Sequence, residues 1–250
     1  MAKAKQRNKF NTKREPDSVV HDIGKRKKFT PHDLCSLTPS SLNQSNFLRL
    51  FYDDTPLITA TGPSGTGKTM VALYAALSLV LDESTEFDKI ILIRSAVESR
   101  AQGFIKGDLN EKNAPYETPY IQSVKKILPA FNDGYEHLKA LGYLEFATTG
   151  FLRGQTFDRC IVICDEMQNC DYDELATIIT RIGDHSRIIL LGDRKQCDLQ
   201  RKREKSGFDR LYTVMEKMPA SMVGKIEYTL DDITRSGLVK EFLIADYGTA

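Results

Sequence analysis

Eight consecutive residues constrain this chain more than any other stretch. Gly62-Pro63-Ser64-Gly65-Thr66-Gly67-Lys68-Thr69 fits the pattern GxxxxGK followed by Ser or Thr. An apolar run, Leu57 to Ala60, precedes it, and an apolar-periodic run from Met70 to Leu81 follows. A strand, a tight loop and a helix in that order let backbone N–H groups curl round phosphate oxygens. Glycine is required where a Cβ would block the approach, and the helix N-terminus adds positive potential at the same point. Lys68 is expected to reach the β and γ oxygens of a triphosphate, and the Thr69 hydroxyl to ligate Mg²⁺. The bland alternative is a chance glycine-rich turn. A random chain of this length gives the pattern roughly once in a hundred, and the flanking strand and helix make chance rarer still.

The rest of the chain repeats the alternation of short apolar runs and helical patterns. Strands are expected at Leu57–Ala60, Ile90–Ile93, Tyr143–Phe146, Cys160–Cys164, Ile188–Leu191 and Lys225–Tyr228. Several are near-continuous Ile/Val/Leu runs, as in parallel strands buried on both faces. Helices are expected at Lys68–Leu81, Pro119–Leu128, Tyr172–Ile182, Gly207–Met218 and Leu238–Asp246. Gly103, Gly107, Pro115 and Pro119 make the span from Arg94 to Pro119 read as a long loop. The pattern predicts an α/β domain with a mostly parallel sheet.

A second constellation lies about a hundred residues beyond the loop. The strand Cys160 to Cys164 runs into Asp165-Glu166. A carboxylate at a strand's C-terminal end can hold Mg²⁺ through its water shell, which is the role expected of Asp165. Glu166 can orient and deprotonate a water for attack on the γ-phosphate. The strand Ile188 to Leu191 ends in Gly192-Asp193-Arg194-Lys195-Gln196. Ligands in such sheets sit beyond the carboxyl ends of the strands, so Asp193 and Gln196 are candidates to sense the γ-phosphate or the water, with a plain surface turn as the alternative.

Taken together, the phosphate loop, Asp165-Glu166-Met167-Gln168-Asn169, Thr180-Arg181-Ile182-Gly183 and Gly192-Asp193 with Gln196 resemble the PhoH-like ATPases, cousins of the superfamily 1 helicase core. The similarity runs from about Leu37 to Tyr247. It implies a three-layer α/β fold of the RecA-like P-loop NTPase type, binding of ATP with Mg²⁺, and hydrolysis. It puts Gln44 at the adenine base, because Leu37-Thr38-Pro39 through Asn43-Gln44 resembles the family's upstream segment. Phe151, Arg153, Gly154 and Thr156, and the run Asp231 to Val239, match its arginine-bearing segments. The chain departs from the family at Ser95, Met167 and Ser236, where Pro, Ala and His are usual. Its compact, divergent form would suit a phage-encoded member.

Hydrolysis needs positive charge on the γ-phosphate as the bond breaks, and an arginine finger is typically worth 10³–10⁵ in rate. Helicases take it from a second domain that this chain lacks. The finger is therefore expected from a neighbouring copy in a homo-oligomer, a ring with six subunits as one form. Arg235 is the first candidate, ahead of Arg153 and Arg181; a surface salt bridge is the alternative for each.

Net charge is +1, but it is unevenly spread. Residues 1–28 hold ten Lys/Arg and three acids, and the remainder holds 25 basic and 31 acidic groups. Residues 1–30 read as a flexible basic arm on an ATPase domain at 34–250. The arm could neutralise phosphates of RNA or another single-stranded nucleic acid, although only Phe10 and Phe29 are there to stack on bases; a solvated tail is the alternative. Arg201-Lys202-Arg203-Glu204-Lys205 could add a second patch. No apolar run approaches the length of a membrane span, nor is there a secretory signal. Five cysteines without CxxC pairs and four scattered histidines give neither a disulfide framework nor a zinc site. The expected location is the cytoplasm. Two further classes stay open: a nucleotide-gated assembly module with slow hydrolysis, and a small-molecule kinase, the latter disfavoured by the Asp-Glu pair.

Overall fold

All six expected strands form, each within one or two residues of its expected bounds: β1 (Leu57–Thr61), β2 (Lys89–Arg94), β3 (Leu144–Thr148), β4 (Cys160–Asp165), β5 (Arg187–Gly192) and β6 (Val223–Glu227). They make one sheet in the order β3-β2-β4-β5-β1-β6. Every neighbouring pair is parallel, so the sheet is wholly rather than mostly parallel. The computed structural model describes residues 28–95, 109–152, 154, 156–196, 207–235 and 237–248. The basic arm to residue 27, Arg153 and the basic run at 201–205 lie outside them.

Alternation along the strands divides the interior into two cores. Ile58, Ile90, Leu92, Ile161, Ile163 and Ile189 face one side, against helices α1 (Leu42–Tyr52), α2 (Lys68–Val80), α3 (Leu109–Ile127) and α4 (Gly134–Ala140). Ile91, Ile93, Cys160, Val162, Ile188 and Leu190 face the other, against α5 (Tyr172–Ile179) and α6 (Phe208–Met215). A seventh helix, α7 (Gly237–Gly248), ends the described chain. Helices on both faces make three layers, which is why the strands read as unbroken apolar runs. The two outer strands differ from the inner ones. Lys225 and Glu227 of β6 are exposed, as is Glu145 of β3, whose Oε1 accepts from Lys89 Nζ at 2.7 Å.

The expected loop from Arg94 to Pro119 is corrected: its second half is helical, and α3 carries Pro115 and Pro119 inside it. Each interior proline costs about 3 kcal/mol. Tyr116, Tyr120, Val124 and Ile127 sit one above another at helical spacing and are buried. Burying a large apolar side chain contributes about 1.5–3 kcal/mol, so four of them outweigh two prolines. Thr118 and Ser123 hydroxyls also donate to the carbonyls of Ala114 and Pro119, at 3.2 and 2.9 Å. Helices α1 and α4 were not expected. Helix α1 starts at Ser41, whose hydroxyl accepts from Gln44 N at 3.3 Å, and buries Phe47 and Phe51 one turn apart.

Phe29 falls within the expected arm at residues 1–30 but is part of the core. Phe29 is 1% exposed, and its ring packs 4.8 Å from Phe131 and 4.7 Å from His137. Phe29→Ala is expected to destabilise the fold by about 3–5 kcal/mol, the cost of an emptied aromatic site. A urea midpoint indistinguishable from wild type would show that the residue belongs to the arm instead.

Candidate functional site

Because the strands are parallel, their carboxyl ends share one edge of the sheet, and the expected site residues gather there. Thr61 at the end of β1 stands opposite Gly192 of β5 and Glu227 of β6. Arg94 at the end of β2 stands opposite Asp165 of β4. The phosphate loop leaves β1 through Gly62, whose φ is 136°. A Cβ there would lie 2.2 Å from the Tyr228 carbonyl oxygen, so only glycine fits. The loop continues into α2 through Gly67, also at positive φ.

Thr69 Oγ1 donates to Asp165 Oδ2 at 3.0 Å, joining the first helical turn to the tip of β4. These are the two hard oxygen donors expected to hold Mg²⁺. Mg²⁺ takes few protein ligands and fills its shell with water and phosphate oxygens, and the pair has that character. Tyr120 is fully buried near this pair. Burial, and then the charge of Asp165, pushes this phenol well above its ordinary pKa. Among the described residues no cluster of three or more His, Cys, Asp or Glu makes a closed metal cage.

The Lys68 ammonium has three donors, and the loop receives all of them: the carbonyls of Gly62 and Pro63 at 2.7 Å each, and Thr66 Oγ1 at 3.2 Å. Burial lowers its pKa, and Asp193, Asp165 and Glu166, in that order, push it back up.

Glu166 sits at φ 56°, in the left-handed region that non-glycine residues rarely adopt. Its side chain stays 35% exposed. Gln168 holds it: Gln168 Nε2 donates to Glu166 Oε2 at 2.5 Å and to the Gln196 carbonyl at 3.4 Å, while Gln168 Oε1 accepts from Asp193 N at 2.9 Å. One side chain, itself 1% exposed, thus ties the tip of β4 to the tip of β5. Gln196 is exposed at the rim of the cleft.

Gln44 is 3% exposed and lies beneath the loop. Its Nε2 donates to the Thr66 carbonyl at 2.9 Å, and its Oε1 accepts from Ser40 N at 2.8 Å. Both ends of the amide are engaged with backbone. Arg235 stands over the loop of its own chain. A Cβ on Gly65 would lie 2.8 Å from Arg235 Cγ, and Thr234 N and Oγ1 both donate to the Gly65 carbonyl at 3.1 Å. That segment is held by Asp232, which accepts from Asn43 Nδ2 at 2.8 Å and from Thr229 N at 2.7 Å. The stem of Arg235, expected to serve a neighbour's site, thus rests on the loop of its own chain. Arg181 lies in the turn after α5, where its carbonyl accepts from Phe157 N at 2.8 Å. Phe157 precedes β4, so Arg181 is at the opposite end of the sheet.

Lys68, Thr69, Asp165, Glu166, Asp193, Gln196 and Arg235 line a cleft of about 440 Å³. Two of its walls were not foreseen. Arg94 lies 4.0 Å from Glu166, with its guanidinium over the Tyr116 ring at 5.9 Å. Gln122, Ser123 and Lys126 come from α3, in the half expected to be helical but given no part in the site. Arg94 ends a strand on the ligand-bearing edge, and that position was the signal that could have marked it. Among the described residues no helix is long and apolar enough to cross a membrane.

Known proteins place the same residues in a family. The PhoH-like protein family matches residues 36–246. The PhoH-like protein of Bacillus subtilis (strain 168) is 35% identical over 190 residues, covering 76% of this chain and 57% of that protein. Protein PhoH of Escherichia coli (strain K12) is 33% identical over 190 residues, covering 76% of this chain and 52% of its own length. Protein PhoH2 of Bacillus subtilis is 30% identical over 178 residues, with coverage of 70% and 40%. The chain thus spans about half the length of these relatives. The match takes in both strand ends that carry the cleft, and on it this chain belongs to the PhoH-like protein family.

Proposed function

We propose that the chain is an Mg²⁺-dependent ATPase whose turnover is coupled to single-stranded nucleic acid, RNA foremost. The observation that carries the ATPase reading is the 3.0 Å contact between Thr69 and Asp165. The phosphate-gripping loop and the acidic tip meet where a triphosphate and its metal would lie.

The residues divide the work. Backbone N–H groups of the loop and the start of α2 take the phosphate oxygens. Lys68 exchanges its loop carbonyls for β and γ oxygens. Thr69 and Asp165 would hold the metal, which would supply positive charge against that of the phosphates. Glu166, oriented by Gln168, takes the proton of a water as its oxygen attacks the γ-phosphorus. The bond to the β–γ bridging oxygen then breaks and ADP leaves. Lys68, Arg94 and Arg235 face the charge that builds on the γ-phosphoryl oxygens.

The nucleic-acid part is supported by the ten Lys/Arg of residues 1–28 and by the family's kinship with helicase cores. The test is phosphate release with and without single-stranded RNA or DNA, at low and high salt, comparing wild type with Lys68→Ala. Lys68→Ala should abolish release. Single-stranded RNA should stimulate wild type, less so as salt rises. Equal release from both proteins would remove the ATPase reading, and indifference to nucleic acid would remove the coupling.

One observation favours the second reading, a nucleotide-gated assembly module. Leu238 and Phe242 of α7, just past Arg235, are 83% and 67% exposed. Under that reading, ATP occupancy changes oligomeric state in a variant that cannot hydrolyse it, which light scattering on Glu166→Gln with and without ATP would detect.

A further inference from the structure

Helix α7 is fastened near both of its ends. Just before it starts, Thr234 and Arg235 lie on Gly65. In its last turn the Tyr247 hydroxyl donates to Asp193 Oδ2. Lys195 grips the same turn: its Nζ donates to the Tyr247 carbonyl at 2.7 Å and stands 4.4 Å from the ring centroid. A cation on a C-terminal carbonyl suits the helix dipole. The helix is a strap from the phosphate loop to the tip of β5.

Asp193 is the residue on which the strap acts. It is 4% exposed, and each carboxylate oxygen has a donor, Lys195 N for Oδ1 at 3.0 Å and Tyr247 for Oδ2. It also stands beside Lys68: Gly62 N donates to the Gly192 carbonyl at 3.1 Å, the Gly62 carbonyl accepts from Lys68 Nζ at 2.7 Å, and both Asp193 and Lys68 line the cleft. A buried carboxylate that loses a donor is left with an unsatisfied charge, and charged donors bind such an oxygen most strongly. Lys68 is such a donor, and an ammonium seized by Asp193 is withdrawn from phosphate.

We propose that Tyr247 is a positioning residue whose hydroxyl holds the Asp193 carboxylate off Lys68, so that the ammonium remains available to a triphosphate. The proposal rests on the ATPase reading above. It gives the C-terminal helix a task at the nucleotide although it touches none of the reacting atoms.

The test is a double-mutant cycle on the full chain, with Tyr247→Phe, Asp193→Asn and both together. Affinity for Mg–ATP is read by calorimetry and folding by thermal melting. Tyr247→Phe should weaken ATP binding about tenfold. The same change made on Asp193→Asn should alter affinity by no more than about twofold, the usual limit for independent error, because the amide carries no charge to pull on Lys68. Loss of a merely structural contact would weaken binding equally in both backgrounds. Unchanged affinity in Tyr247→Phe, or the full loss persisting in the double variant, overturns the proposal. If Tyr247→Phe does not fold, Lys195→Met, which frees the helix end but keeps the backbone donor to Asp193, should give a smaller loss of the same kind; wild-type affinity there counts against it. A wild-type chain without affinity for ATP would end the ATPase reading and this inference with it, and that result is visible before any variant is made.

Discussion

Glu166→Gln should slow phosphate release by about 10²–10⁴-fold, the usual worth of a positioned general base, while Mg–ATP binding stays close to wild type. The substitution keeps the shape of the side chain and an oxygen for Gln168 Nε2, now 2.5 Å from Glu166 Oε2. It removes the basicity and nothing else that holds nucleotide: the loop, Lys68, Thr69 and Asp165 are untouched. Single-turnover release and equilibrium binding, measured on one preparation, separate the two quantities. Wild-type turnover would mean that another group takes the proton. Loss of binding alongside turnover would mean that Glu166 shapes the metal site rather than the water.

Arg235→Ala should cost about 10³-fold or more in turnover, in the range of a γ-phosphate arginine, and its origin can be read by mixing subunits. The stem of Arg235 lies on Gly65 of its own chain, and Thr234 is bonded to the same glycine twice. An arginine acting in its own subunit cannot repair another's site. Arg235→Ala mixed with Glu166→Gln should therefore stay inactive at every ratio. Recovery of activity on mixing would restore the shared site, in which one copy lends the arginine and the other the base. An oligomer without recovery would leave Arg94, already 4.0 Å from Glu166, as a further in-chain cation to test.

The sequence was most legible where chemistry and topology coincide. The glycine-lysine-threonine loop needs a strand before it and a helix after it, and both are there. Asp165 and Glu166 were readable because an apolar run ending in acids has one natural place in a parallel sheet. Gln168 was visible as a residue but not as a bridge, since its partners Asp193 and Gln196 come from another strand and only β-sheet order brings them together. Gln44, expected at the base, bonds Ser40 and Thr66, the second a contact across 22 residues that no local pattern announces. The first half of helix α3, before Pro119, was concealed by local punctuation that distant packing overrides, while its second half was legible. Helix α1 has a readable trace in Ser41 and the Phe47–Phe51 pair.

The outer strands carry one more consequence. A sheet with bare margins invites a second molecule to extend it, and charged side chains along the margin discourage that. Here Glu145 on one flank and Lys225 with Glu227 on the other make continuation of the sheet from copy to copy unfavourable. Assembly is therefore favoured across the helices and loops, on the side of the cleft or on the layers that cover the sheet, and such joints can open and close without disturbing a single strand.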